Sequence, residues 1–182
     1  MMKIAGLAYV VAETTDLNRW KNYAEGVLGM MTAPSPDGGL YVRMDERQFR
    51  FAIQVGARDG YVVSGWEVTS QADFEQALAV LKQAGVEVAL GDAALCRLRC
   101  VQQVAGFSDP SGNRHEVVWG FRSDFAHFAS PVGVSRFVTG NIGMGHAVLP
   151  ASAFQETADF FTQVMGFGLS DLFNFQPAGA DG

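Results

Sequence analysis

The sequence predicts an α+β fold assembled from repeated βαβββ modules, two complete and a third incomplete. Three observations predict it. The stretch GLAYVVAETTDLNRWKNYAEGVLGM, from Gly6, aligns without a gap on GMGHAVLPASAFQETADFFTQVMGF, from Gly143, at an offset of 137. A similar apolar pattern begins again near SGWEVTSQADFEQALAVLKQAG, at an offset of 57 from the first. In each copy a β-rich segment gives way to a helical period, and self-similarity at a fixed spacing marks a repeated supersecondary unit.

Taken in order, the first module opens on the strand-like segment after Gly6, where Tyr9 precedes Leu17 by eight residues. A helix through Tyr23 follows and ends near Gly29. Gly38-Gly39 then marks a turn before LYVRMDE and RQFRFAIQVG, in which Phe49, Phe51, Ile53 and Val55 alternate as on one side of a strand. The second module repeats the plan. Trp66 precedes Phe74 by eight residues, Ser70 with Asp73 resembles a capping box, and Phe74, Leu78 and Leu81 share one helical face. Gly85 is placed to end that helix. The strand-like CVQQVAGFSDP and RHEVVWGFR are joined by the turn signal Asp109-Pro110-Ser111-Gly112-Asn113. In the third copy His146 precedes Phe154 by eight residues, Ser152 with Gln155 resembles a second capping box, and Gly166 stands at the helix end.

These readings divide the chain into modules at 1–58 and 59–122, a linker at 123–141 that breaks the periodicity and carries Pro131, and a third module from 142 to 182 without its last two strands. At the position of His146 the first two modules carry Tyr9 and Trp66, and Glu116 follows the second module's turn.

Composition supports a real core: 48% of the 182 residues are hydrophobic and 18% charged. A net charge of −6, with the basic residues scattered, argues against a nucleic-acid partner, which requires a basic patch. No apolar run reaches the ~20 residues of a membrane span, and the acidic residues near the start do not suit a signal peptide. Cys96 and Cys100 make no disulfide framework, and C-x3-C without a second pair is a weak metal signal; free thiols in a cytoplasmic protein are expected. Of the three histidines, His115 should face away from Glu116 on an alternating strand, and His127 falls in the solvated linker. By residue type alone His146, in a glycine-flanked apolar run, reads as a core histidine before it reads as a ligand.

The residues GFSDPSGNRHEVVWG in the second module and SRFVTGNIGMGHAVLPA…FFTQVMGFGLSDLF in the third change that balance. They resemble the vicinal oxygen chelate superfamily and, within it, the type I extradiol ring-cleavage dioxygenases acting on 2,3-dihydroxybiphenyl-like catechols. The resemblance covers essentially the whole chain. It implies the glyoxalase/bleomycin resistance/extradiol dioxygenase fold, with a metal-free N-terminal domain at 1–122 and the start of a catalytic domain at 142. It also implies iron(II), with manganese in some relatives, held by two histidines and one glutamate, and dioxygen as co-substrate. His146 matches the first histidine; the other two ligands and the acid–base groups would lie beyond 182, so no catalytic residue is expected within the chain. Val148, two residues past His146, and Phe175 are expected to border the substrate. The implied activity is extradiol cleavage of a small aromatic diol in aromatic catabolism, by a cytoplasmic homo-oligomer, the present residues being inactive alone. The alternative reading is a metal-free small-molecule binding module using an aromatic cup around Tyr9 and Trp66. Without a fourth module, Phe160, Phe161, Phe167, Leu169, Leu172 and Phe173 are expected to lose packing surface.

Overall fold

The computed structural model describes residues 1–140 and 143–172. Its centre is one eight-stranded mixed sheet in the order β2-β3-β4-β1-β5-β8-β7-β6. The strands are β1 (Gly6–Thr14), β2 (Met31–Pro34), β3 (Leu40–Arg43), β4 (Phe51–Val55), β5 (Gly60–Val68), β6 (Ala89–Leu90), β7 (Gln103–Ser108) and β8 (Arg114–Trp119). Helix α1 (Leu17–Tyr23) runs on into a wider π-type turn, Ala24–Leu28. Helices α2 (Gln71–Gln83) and α3 (Ala93–Leu98) belong to the second half, and α4 (Phe154–Asp159) with the wide turn Phe160–Val164 to the C-terminal part.

The strand order reads the same from both edges. β1 pairs parallel with β4, β5 pairs parallel with β8, and β1 meets β5 antiparallel at the centre. The helix N-caps fix the offset between the halves: Asp16 and Ser70 each accept from the backbone N–H three residues on, and they lie 54 residues apart, not the 57 of the sequence alignment. Tyr9, Val63 and His146 each lie seven residues before a helix N-cap, so the second-module counterpart of Tyr9 is Val63 and not Trp66.

Three apolar clusters follow from this arrangement. One lies between the sheet and α2, where Phe74, Ala77 and Leu81 meet Trp66, Val68 and Val117. Another lies under α1 and its turn, around Ala24, Val42 and Ile53. The third, on the opposite face of the central strands, gathers Tyr9, Tyr41, Phe49, Val63, Val104, Val118 and Phe121, with α3 packed against it through Leu95 and Cys96.

The C-terminal part differs from expectation in two respects. Among the described residues no strand forms around His146: the only sheet-like link there is a bridge between Leu7 and Gly143, with Met144 N–H donating to the Leu7 carbonyl at 3.0 Å. A strand needs a neighbour for its backbone groups, and the described residues offer none beyond that point. Nor does Ser152 cap α4, whose N-cap is Ala153 with no side-chain bond of its own. The apolar residues there are only partly short of packing. Phe160 and Met165 are buried, Phe161 and Phe167 pack against the α2 cluster, and Leu169 and Leu172 are exposed; Phe173 lies outside the described residues.

Candidate functional site

On the concave face the structure closes the cup that the repeat suggests. The Tyr9 hydroxyl donates to Glu116 Oε2 at 2.5 Å, and Arg99 grips the same carboxylate through Nε at 2.8 Å and Nη2 at 3.2 Å. All three side chains are buried. Burial and then the neighbouring Glu116 charge push the Tyr9 hydroxyl well above its ordinary range, so it stays protonated and remains a donor. Burial opposes the charge on Arg99, but Glu116 more than offsets it and holds the guanidinium ionised. The Tyr9 ring fits because position 65 is glycine: a Cβ there would lie 2.4 Å from ring carbons. Phe49 packs against Tyr9 at 5.2 Å and 43°, against Phe121 at 5.4 Å and 73°, and stacks on Tyr41 at 4.6 Å and 8°. This cup does not fit a metal ion. Its carboxylate is already neutralised by Arg99 and its phenol keeps its proton.

Trp66 faces the other way. It belongs to the α2 cluster, and its indole N–H donates to His115 Nδ1 at 3.1 Å. There is therefore no aromatic cup shared by Tyr9 and Trp66, and the binding-module alternative loses its site. A β-bulge between Leu7 and Tyr9 and the three-residue error in alignment together explain the misplacement.

His115 faces away from Glu116, buried on the α2 side with Nε2 3.4 Å from Asp109 Oδ2. Because Nδ1 accepts from Trp66, Nε2 carries the proton. Burial lowers the imidazole's pKa below its ordinary 6.5, with Asp109 only partly restoring it. The unfolded chain takes up a proton near pH 6.5 and the folded chain does not. The neutral ring therefore contributes stability fully above that pH, and the contribution declines as pH falls from there through the folded value. Denaturant unfolding of the native chain between pH 7 and 5.5 is expected to show a slope of up to about 1.4 kcal/mol per pH unit from this group. His115→Gln removes that component; superimposable profiles would contradict it.

The other predicted residues lie at the C-terminal side. His146 is exposed, at the rim of a cavity of about 610 Å³ whose apolar wall includes Leu7, Trp66, Leu149, Phe154, Phe161 and Phe167. Val148 is 87% exposed and lies outside that lining, although Ala147 and Leu149 belong to it. Phe175 lies outside the described residues. Among the described residues no group of three or more His, Cys, Asp or Glu side chains could hold a metal ion. Cys96 and Cys100 are half-buried free thiols beside the concave cluster, and burial pushes the Cys100 thiol up. His127 is exposed in the segment after β8. No helix among the described residues is long and apolar enough to cross a membrane.

Sequence reasoning missed Arg99, Tyr41, Phe49 and Phe121 as the residues that close the cup. The alternation in RQFRFAIQVG puts Phe49 on one side of a strand with Phe51, Ile53 and Val55, whereas Phe49 lies before β4 in the cluster with Tyr9, Phe51 and Ile53 pack in the cluster under α1, and Val55 is exposed; nor does anything local join Arg99 to Glu116. It also missed Ser111 and Asn113, known only as a turn signal.

The structure is thus an α+β arrangement of two βαβββ modules about one pseudo-symmetric mixed sheet, followed by part of a third repeat that carries His146. Comparison with known proteins makes this specific. Residues 7–56 match the family model described as dihydroxybiphenyl dioxygenase BphC D1. An iron-dependent extradiol dioxygenase of Rhodococcus jostii is 37% identical over 177 residues, covering 97% of this chain and 59% of that protein. A biphenyl-2,3-diol 1,2-dioxygenase of Paraburkholderia xenovorans is 36% identical over 176 residues, covering 96% and 59%. The crystal structure of BphC, a halotolerant catechol dioxygenase, superposes with a TM-score of 0.86 at 30% identity over 91% of this chain and 56% of the other. The chain is a relative of the extradiol ring-cleavage dioxygenases, and it spans about three-fifths of the length of the curated relatives it matches.

Proposed function

We propose that these residues form the N-terminal part of an iron(II)-dependent extradiol dioxygenase. The enzyme would open the ring of a small catechol-type diol with dioxygen, as a cytoplasmic homo-oligomer in aromatic catabolism. The observation that carries the reading is the contrast among three equivalent positions. Tyr9 and Val63 are buried in a cup sealed by Arg99, whereas His146 presents an exposed imidazole beside an apolar cavity. Two-histidine, one-carboxylate sites of this kind suit iron(II) or manganese, and iron there couples an electron-rich diol to dioxygen. In this reading residues 1–122 are a metal-free domain, 123–141 the linker, and His146 one of three ligands. Val148 and Phe175 would approach the substrate once the rest of the catalytic domain surrounds them.

Two proteins test it: the polypeptide encoded by the whole reading frame, and the 182-residue chain. With 2,3-dihydroxybiphenyl, iron(II) and oxygen, the first is expected to form the yellow ring-opened product and the second none. In the first, His146→Ala is expected to abolish both bound iron and product. Iron and activity retained in His146→Ala would exclude His146 as a ligand, and product formed by the 182-residue chain would exclude the need for further ligands.

A further inference from the structure

The segment carrying His146 forms no strand, yet it is tied down at both ends by residues of the first two modules. On one side the bridge between Leu7 and Gly143 and the bond from Met144 N–H to the Leu7 carbonyl hold the chain two residues before His146. Gly143 has φ +69°, and a Cβ there would lie 2.1 Å from the Leu7 carbonyl oxygen, so only glycine permits this approach. On the other side Asn113 Nδ2 donates to the Pro150 carbonyl at 2.8 Å, four residues past His146. Ser111 Oγ then accepts from Ala153 N–H at 3.0 Å and bonds Thr157 Oγ1 at 2.7 Å, supplying from another module the cap that α4 lacks.

The turn that provides these contacts is itself fixed. Asp109, buried, accepts from Asn113 N–H and from Asn113 Nδ2, both at 2.8 Å. Its Oδ2 also faces His115 Nε2, and His115 is held by Trp66. The Asn113 amide thus has both donors committed, one to its own turn and one to Pro150. Only five residues lie between Met144 and Pro150, and with both ends anchored His146 has little room to wander.

We propose that the Asp109–Asn113 turn and the Gly143 bridge are positioning elements for His146, so that the metal-free modules act as the jig that aims a metal ligand. The role toward metal rests on the function proposed above; the anchoring of His146 does not. Ser111, Asn113 and Gly143 are positioning residues, acting through the backbone of 143–157.

The test uses the 182-residue chain with its three histidines isotopically labelled, and needs neither metal nor substrate. In Asn113→Ala and in Ser111→Ala, the His146 ring resonance is expected to move to the position of the exposed His127. Amide exchange at Ala153 and Thr157 should accelerate at least about ten-fold, as expected for a local opening. The exchange of β4 and β5 should stay as in the native chain, and in Ser111→Ala the His115 resonance should stay as well. Ser111→Thr, which keeps the hydroxyl, should restore the native signal. Gly143→Ala attacks the other anchor without touching the turn and should release His146 in the same way, so the test survives if a turn variant folds poorly. A His146 resonance unchanged in Asn113→Ala, Ser111→Ala and Gly143→Ala would overturn the proposal. Failure of ring cleavage with these shifts present would instead count against the dioxygenase reading alone.

Discussion

Arg99→Met is expected to destabilise the chain by about 3–5 kcal/mol, measured by denaturant unfolding at neutral pH. The loss does not reflect the worth of the ion pair, which roughly offsets the desolvation of its two charges. It arises because Glu116 would remain buried with only the Tyr9 hydroxyl for company. Removing both charges should therefore cost much less: Arg99→Met combined with Glu116→Gln is expected to recover most of the loss, a coupling that a double-mutant cycle reads directly. Additive losses in the double variant would show that Arg99 acts through packing and not as the cation of a closed cup.

Phe49→Ala is expected to cost a comparable amount, about 3–5 kcal/mol, for an unrelated reason. Phe49 is fully buried and touches Tyr9, Tyr41 and Phe121, all of which would border the resulting cavity. Those neighbours cannot collapse freely. Tyr9 is held by Glu116, and the Tyr41 hydroxyl donates to the Leu98 carbonyl at 2.5 Å. Phe49→Leu, which fills most of the space, should cost appreciably less. Equal losses for the two substitutions would place Phe49 in a region able to repack.

Most of the architecture could be read from local chemistry. Ser70 caps α2, Gly85 follows its end, and the Asp109–Asn113 turn joins β7 to β8. Each of these is settled within a few residues. What failed was longer in range. An ungapped alignment on a few apolar positions does not fix the spacing between modules, so it sets the second module three residues out and puts Trp66 where Val63 belongs. Arg99 and Glu116 are 17 residues apart and meet only because β7, β8 and α3 fold together. The strand around His146 was expected from its similarity to β1, but a strand forms only where a neighbour completes its hydrogen bonds. Ser152 likewise had the right spacing for a cap, yet Ser111 from another module took that place.

By the spacing of the helix N-caps Asp16 and Ser70, the fourth module's counterpart of His146 falls about 54 residues beyond it, with loop length allowing for ~10 residues either way. The counterpart of Glu116 falls about 137 residues beyond that glutamate, with the same allowance. Reading the coding frame downstream of Gly182 is the most direct test of the central claim. The claim predicts a strand-borne histidine at the first position and a D-P-x-G-type turn followed by glutamate at the second. A frame that lacked either would contradict an extradiol iron site completed by this polypeptide.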